Sequence, residues 1–209
     1  MKVVSLDVTG TLVDGMSVKY FWDFLIPTAY ARKHQVPFEK AFQYVKQTYM
    51  TISPDDVKWY LPEYWMQRLD IEDSIEDLLK ELKQMITIFP DVKPAIVELC
   101  SQHNLIISSN LPMIILETIL DDFKEYFSKI FSSVSTFSLP RKTAEFYFKV
   151  CSNTGFKPKE VLHVGDNFIY DFLIPRFIGM KSIIIKRFKP PKQKHEVSDL
   201  KQVLNIISM

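Results

Sequence analysis

The sequence predicts an α/β protein: a doubly wound parallel sheet interrupted by an inserted, all-helical domain. Three observations carry this. The chain opens on a short apolar run, Val3-Val4-Ser5-Leu6, that stops at Asp7 and a Thr9-Gly10-Thr11 turn. A stretch from about residue 16 to 87 is rich in aromatics at helical spacing and shows no strand-like alternation. From Phe89 onward, strand and helix patterns alternate, which calls for parallel strands joined by right-handed crossovers. On this reading residues 1–15 and 88–209 form the α/β domain and residues 16–87 the helical one.

Within the helical block, Tyr20-Phe21-Trp22 with Phe24 and Leu25 opens a first helix that Pro27 bends or interrupts. Pro37 separates it from a second, Ser53-Pro54-Asp55-Asp56 starts a third, and Asp73 or Ser74 starts a fourth. Beyond it, helices are expected over 90–102, 113–120, 143–154, 169–178 and 198–207, the third ended by Gly155 and the fourth by Gly179. Strands are expected at Leu105-Ile106-Ile107, Lys129-Ile130-Phe131, Val161-Leu162-His163-Val164 and 182–185. With the opening run this makes at least five parallel strands, and no internal repeat or low-complexity tract is evident.

Composition bounds the function. The chain has 209 residues, 47% hydrophobic and 24% charged, with a formal charge of +1. This balance describes a soluble globular protein and implies neither nucleic acid nor membrane as a partner. No apolar run approaches the roughly 18 residues needed to span a bilayer, and no basic-then-apolar leader precedes the first strand, so a cytoplasmic location is expected. Cys100 and Cys151 lack metal spacing and read as buried thiols. The run from Lys186 to His195 reads as a solvated basic loop. Oligomeric state leaves no signal.

The strand ends carry the chemistry, because open parallel sheets bind ligands outside the carboxyl ends of their strands. Asp7 stands at the first such end; Gly10 lets the backbone turn, and the amides and hydroxyls of Thr9 and Thr11 are within reach of a bound anion. Ser108-Ser109-Asn110 ends the second strand with groups that hydrogen-bond anionic oxygens. Lys142 precedes a helix N-terminus, where a cation opposes the macrodipole and so needs another purpose. Gly165-Asp166-Asn167, with Asp171 further on, offers acids for a divalent cation. His163, inside a strand, reads as a satisfied core histidine, and Trp22, Trp59, Tyr60, Tyr64 and Trp65 read as core of the helical block or as a partner surface.

In this order the constellation resembles the haloacid dehalogenase-like hydrolase superfamily, in its helical-cap subfamily with a Rossmann-like core. Asp7-Val8-Thr9-Gly10-Thr11 is similar to the first family motif, Ser109-Asn110 to the second, Lys142 to the third with Thr143 in place of the usual proline and Phe148 matching a frequent aromatic, and Gly165-Asp166 with Asp171 to the fourth. The helical block is similar to the family's cap. The resemblance implies a phosphatase for a small phosphorylated substrate. Asp7 would form an aspartyl phosphate, Ser109 and Lys142 would hold phosphoryl oxygens, and Gly10, Thr11 and Asn110 would assist in phosphate binding. It also implies Mg²⁺ held by Asp7, Asp166, the Thr9 carbonyl and, directly or through water, Asp171.

One departure from the family pattern matters for the chemistry. Thr9 stands where most phosphatases of the family carry a second Asp, the general acid-base whose role is worth about 10²–10⁴-fold. Three consequences are open: a slow phosphatase, a preference for leaving groups that need no proton, or water activation by another residue. A similar Asp-x-Thr-Gly-Thr loop occurs in the superfamily's ion-pumping ATPases, though this chain shows no membrane spans. A 2-haloacid dehalogenase is an alternative, although Asp166 and Asp171 are both present and the early cap offers only Arg32 for a substrate carboxylate. A non-enzymatic binder of a phosphorylated ligand or a partner is a third reading.

Overall fold

The computed structural model describes residues 1–207. The chain divides into two compact units, one of residues 1–14 with 88 onward, the other Gly15–Thr87.

The first unit holds β1 (Val3–Leu6), buried throughout. The second unit begins with α1 (Gly15–Tyr20), which runs through a π turn at Phe21–Leu25 into α2 (Ile26–His34). Pro27 has no N–H to complete an α-helical bond, and the helix passes it by widening the preceding turn: the Ile26 amide reaches back five residues to the Phe21 carbonyl. Pro37 precedes α3 (Phe38–Tyr49). Asp56 caps the Lys58 amide at 2.9 Å but starts only a 3₁₀ turn, Val57–Tyr60, and α4 begins later, at Pro62–Arg68. The helix expected to start at Ser53-Pro54-Asp55-Asp56 therefore starts later, because Pro62 forces Leu61 into extended backbone and separates turn from helix. Ser74 caps α5 (Ile75–Met85) by accepting the Asp77 amide at 3.1 Å, and α5 buries Leu78, Leu79 and Leu82. Trp65 is fully within this unit's core, its indole N–H donating to the Trp59 carbonyl, while Trp22, Trp59, Tyr60 and Tyr64 are half-buried.

The first unit resumes with α6 (Val92–Gln102), β2 (Asn104–Ser109), α7 (Met113–Leu120), β3 (Lys129–Ser132) and α8 (Ser133–Phe137), then α9 (Ala144–Thr154) and β4 (Val161–Gly165). A second π turn, Phe168–Leu173, leads into α10 (Ile174–Phe177), and β5 (Lys181–Ile185), β6 (Glu196–Val197) and α11 (Leu200–Ile207) follow. Every strand pairing is parallel and the order is β3-β2-β1-β4-β5-β6. The strand order reverses at β1, so the doubly wound sheet places the end of its first strand at the switch point.

The structure departs from three further expectations. A short repeat exists: Asp-Phe-Leu-Ile-Pro occurs at 23–27 and again at 171–175, and each copy forms a π turn ahead of its proline. The basic run is not wholly solvated. The Arg187 side chain is tucked in, donating to the Thr11 carbonyl and to both oxygens of Asp91 at 2.7 and 2.8 Å, over the Phe89 ring at 4.3 Å. The run is followed by β6, a two-residue strand too short to show a period. Both cysteines are free, Cys151 buried but Cys100 only half so. No helix among the described residues is long and apolar enough to cross a membrane.

A core of Val3, Ile106, Phe131, Phe146, Tyr147, Val150 and Val161 fills the space between the sheet and α9. α9 turns Phe146 and Tyr147 inward and leaves Phe148 exposed. Replacing Phe146 by Ala is expected to cost about 3–5 kcal/mol of unfolding free energy in urea titrations, whereas Phe177→Ala, at a position 84% exposed, stays within about 0.5 kcal/mol.

Candidate active site

Strand alternation places Val3, Ser5 and Asp7 on one face, so the apolar layer under α9 gives way to a hydroxyl and then to a carboxylate. The Asp7 amide still donates to the Val164 carbonyl at 2.9 Å, which holds Asp7 to the sheet although the strand has ended. Beyond it the chain closes a tight loop: the Val8 carbonyl accepts the amides of Thr11, Leu12 and Val13, and the Gly10 amide reaches Val13 at 2.8 Å. Gly10 sits at φ +75°, and a β-carbon there would lie 2.2 Å from a carboxylate oxygen of Asp166. Positive φ thus favours glycine, and a β-carbon would also displace the Asp166 carboxylate.

Lys142 is the cation at the centre. Its side chain is buried, with Nζ 2.5 Å from Asp7 Oδ1, 2.5 Å from Asp171 Oδ1 and donating to the Ser108 carbonyl at 3.2 Å. Those three contacts match the three donors of an ammonium. They supply the purpose that its position before a helix demanded; the cap of that helix is left to Thr143, whose hydroxyl accepts the Phe146 amide. Asp171 is equally engaged, taking His163 Nε2 at 2.9 Å on the oxygen that meets Lys142 and the Asn167 amide at 2.9 Å on the other. Burial and the neighbouring acids Asp171 and Asp166 push Asp7 up to about 7, against the pull of Lys142. Burial opposes charge on Asp171 too, but Lys142 and His163 outweigh it and hold that carboxyl well below the usual range. Burial likewise works against the Lys142 ammonium, and Asp171 and Asp7 more than compensate.

Carboxylate oxygens of Asp7, Asp166 and Asp171 lie within 4.8 Å of one another. Three acids around one lysine leave a formal excess of two negative charges. An all-oxygen donor set with that excess fits a hard divalent cation such as Mg²⁺. Because Asp171 is spent on Lys142, His163 and Asn167, Asp7 and the exposed Asp166 are the carboxylates with free oxygens to offer.

A pocket of about 180 Å³ is lined by Asp7, Thr9, Ser109, Asn110, Lys142, Asp166 and Asp171, together with Leu111, Asn167 and Tyr170. The Thr9 hydroxyl is buried and makes no hydrogen bond to the protein. The structure does not bring the other two loop residues to this pocket. Gly10 lies against Asp166 and faces a neighbouring depression with 185–189, and Thr11 is fully buried with its carbonyl held by Arg187. Sequence reasoning passed over Tyr170, whose hydroxyl accepts from Arg141 at 3.0 Å; an aromatic inside a helical run carries no mark of a pocket wall.

The sequence matches the haloacid dehalogenase-like hydrolase family over residues 1–173. The chain belongs to that family. It is accordingly a hydrolase, and its parallel sheet with flanking helices is the Rossmann-like fold of that family. Among characterised relatives, the GMP/IMP nucleotidase YrfG of Escherichia coli is 25% identical over 170 residues, spanning 78% of this chain and 73% of that protein. Among solved structures, a HAD phosphatase from Thermococcus onnurineus superposes with a TM-score of 0.82 at 18% identity, covering 99% of this chain and 98% of that one. A 2-haloacid dehalogenase from Pseudomonas syringae pv. Tomato superposes with a TM-score of 0.72 at 16% identity, covering 100% and 98%. These two show the shared fold.

Because the Asp7 carboxyl binds its proton more tightly folded than unfolded, its contribution to stability falls as pH rises from about 4 to about 7. In chelator, the thermal midpoint of the unmodified protein relative to Asp7→Asn is therefore expected to drop between pH 5 and 8. The comparison with Asp7→Asn separates this from His163, whose lowered pKa acts with the opposite sign. Mg²⁺ should raise the midpoint more at pH 8 than at pH 5.

Proposed function

We propose that this chain is a Mg²⁺-dependent phosphatase for a small phosphorylated metabolite, working through an aspartyl phosphate on Asp7. The observation that carries this reading is the buried Lys142 ammonium shared by Asp7 and Asp171, beside Asp166, in the lining of a small pocket. That arrangement offers an oriented carboxylate nucleophile, a cation for the charge on phosphoryl oxygens, and acids for a metal.

In this reading a carboxylate oxygen of Asp7 attacks phosphorus in line as the bond to the leaving oxygen breaks. Ser109 and Asn110 donate to phosphoryl oxygens, and Lys142 places its charge beside the phosphoryl group that Asp7 takes on. Asp7, Asp166 and the Thr9 carbonyl would hold Mg²⁺, which would supply Lewis acidity to offset the substrate's charge. Thr9 supplies a hydrogen bond but no ionisable proton, so leaving groups that need no protonation are favoured and hydrolysis of the aspartyl phosphate is slow. The nucleotidase relative makes purine nucleoside monophosphates the first substrates to assay. The dehalogenase reading is weaker: Arg32, its only candidate for a substrate carboxylate in the early cap, is paired with Asp73.

With an activated aryl phosphate, Asp7→Asn is expected to abolish the Mg²⁺-dependent rate and Thr9→Asp to raise kcat, by up to about 10²-fold. A Mg²⁺-dependent rate that survives in Asp7→Asn would sink the proposal. Chloride release from a 2-haloacid without metal would favour the dehalogenase.

A further inference from the structure

Behind the pocket, a chain of buried side chains crosses three strands. Ser108 Oγ lies 2.8 Å from Ser5 Oγ, which lies 2.9 Å from His163 Nδ1; His163 Nε2 lies 2.9 Å from Asp171 Oδ1, and Asp171 meets Lys142. Ser5 and His163 are register partners of β1 and β4, so the sheet itself sets their spacing. A carboxylate only accepts, so Nε2 carries the hydrogen toward Asp171. Tyr147 stands on the same edge of the ring, its oxygen 3.0 Å from Nε2, and donates its proton to the Tyr170 carbonyl at 2.8 Å. The imidazole is thus gripped on both edges, and Tyr147 ties the π turn that carries Asp171 to α9.

We propose that His163, seated by Ser5 and Tyr147, is a positioning residue for the reaction. Its hydrogen bond fixes the rotamer of Asp171, which in turn holds the Lys142 ammonium against Asp7. His163 touches no substrate. Without that donor Asp171 keeps Lys142 on Oδ1 and the Asn167 amide on Oδ2, and the less constrained carboxylate turns more readily about its side-chain bonds and draws the ammonium away from the nucleophile. Partners of this kind typically tune activity by about 10–100-fold. The proposal rests on the phosphatase reading for its effect on rate, and on geometry alone for its effect on Lys142.

The test is a double-mutant cycle with an aryl phosphate and Mg²⁺, read alongside the ¹H–¹⁵N resonance of the Lys142 ammonium in chelator, assigned by its loss in Lys142→Met. His163→Phe keeps a ring but no donor and is expected to lower kcat by about 10–100-fold with KM little changed. His163→Gln restores an N–H near the place of Nε2 and should recover most of the loss. In an Asp171→Asn background His163→Phe should cost less than about threefold, since the residue through which it acts is already altered. The ammonium resonance should shift or broaden in His163→Phe and return in His163→Gln. Equal costs in both backgrounds, or an unmoved resonance, would overturn the proposal. Should His163→Phe fail to fold by circular dichroism, Tyr147→Phe and Ser5→Ala, which each remove one hydroxyl, carry the same cycle and spectrum. An unmodified protein without Asp7-dependent turnover would refute the phosphatase reading alone, and the resonance would still decide the positioning role.

Discussion

The site depends on one buried cation. Lys142 is 2% exposed, and its ammonium is out of water only because two carboxylates and a carbonyl replace its hydration. Removing one partner from such an arrangement typically costs about 3–5 kcal/mol, a large share of a domain's total stability. The surroundings are correspondingly determined. Asp7 is pinned by a sheet hydrogen bond, Asp171 by three donors and the Ser108 carbonyl by its place in β2. Lys142 satisfies one negative charge of the three acids around it, and the remaining excess is what makes the place suitable for a divalent cation.

The sheet reaches this polar cluster by a gradient along its own strands. On the face toward α9, Val3 is packed in the core, Ser5 two residues on belongs to the hydroxyl and imidazole layer, and Asp7 beyond it opens onto the pocket. β4 repeats the pattern with Val161, His163 and Gly165, where a β-carbon would collide with Asp171 at 2.3 Å. Period-two alternation thus carries each strand from apolar packing to chemistry within five residues, and Tyr147 on α9 spans both layers.

The repeated Asp-Phe-Leu-Ile-Pro segment shows how little local sequence says about role. In both copies the proline withholds an amide and the helix answers with a π turn. Each aspartate also pairs with a lysine, Asp23 with Lys46 at 2.9 Å and Asp171 with Lys142 at 2.5 Å. Asp23–Lys46 lies partly exposed on the helical unit, while Asp171–Lys142 is buried beside Asp7. The same local geometry becomes chemistry only where a strand end delivers other charged groups to it.

The residues alone determined the parallel α/β plan, the helical insertion and the strand ends that carry Asp7, Ser109 and Asp166. Periodicity and turn chemistry are local properties, and topology assigns ligands to the carboxyl ends of such strands. β6, α8 and the 3₁₀ turn before α4 escaped because elements of two to five residues display no period. Tertiary structure decided the rest. Lys142 meets Asp7 across 135 positions, and His163 is the satisfied core histidine its place in a strand suggested, because register sets Ser5 beside it and a π turn sets Asp171 against its other edge. Arg187 left the solvated loop for the same reason, since its partners Asp91 and Thr11 lie far away in the chain. A side chain's type states which bonds it is able to make; the strand order and the packing of α9 decided which partners were within 3 Å.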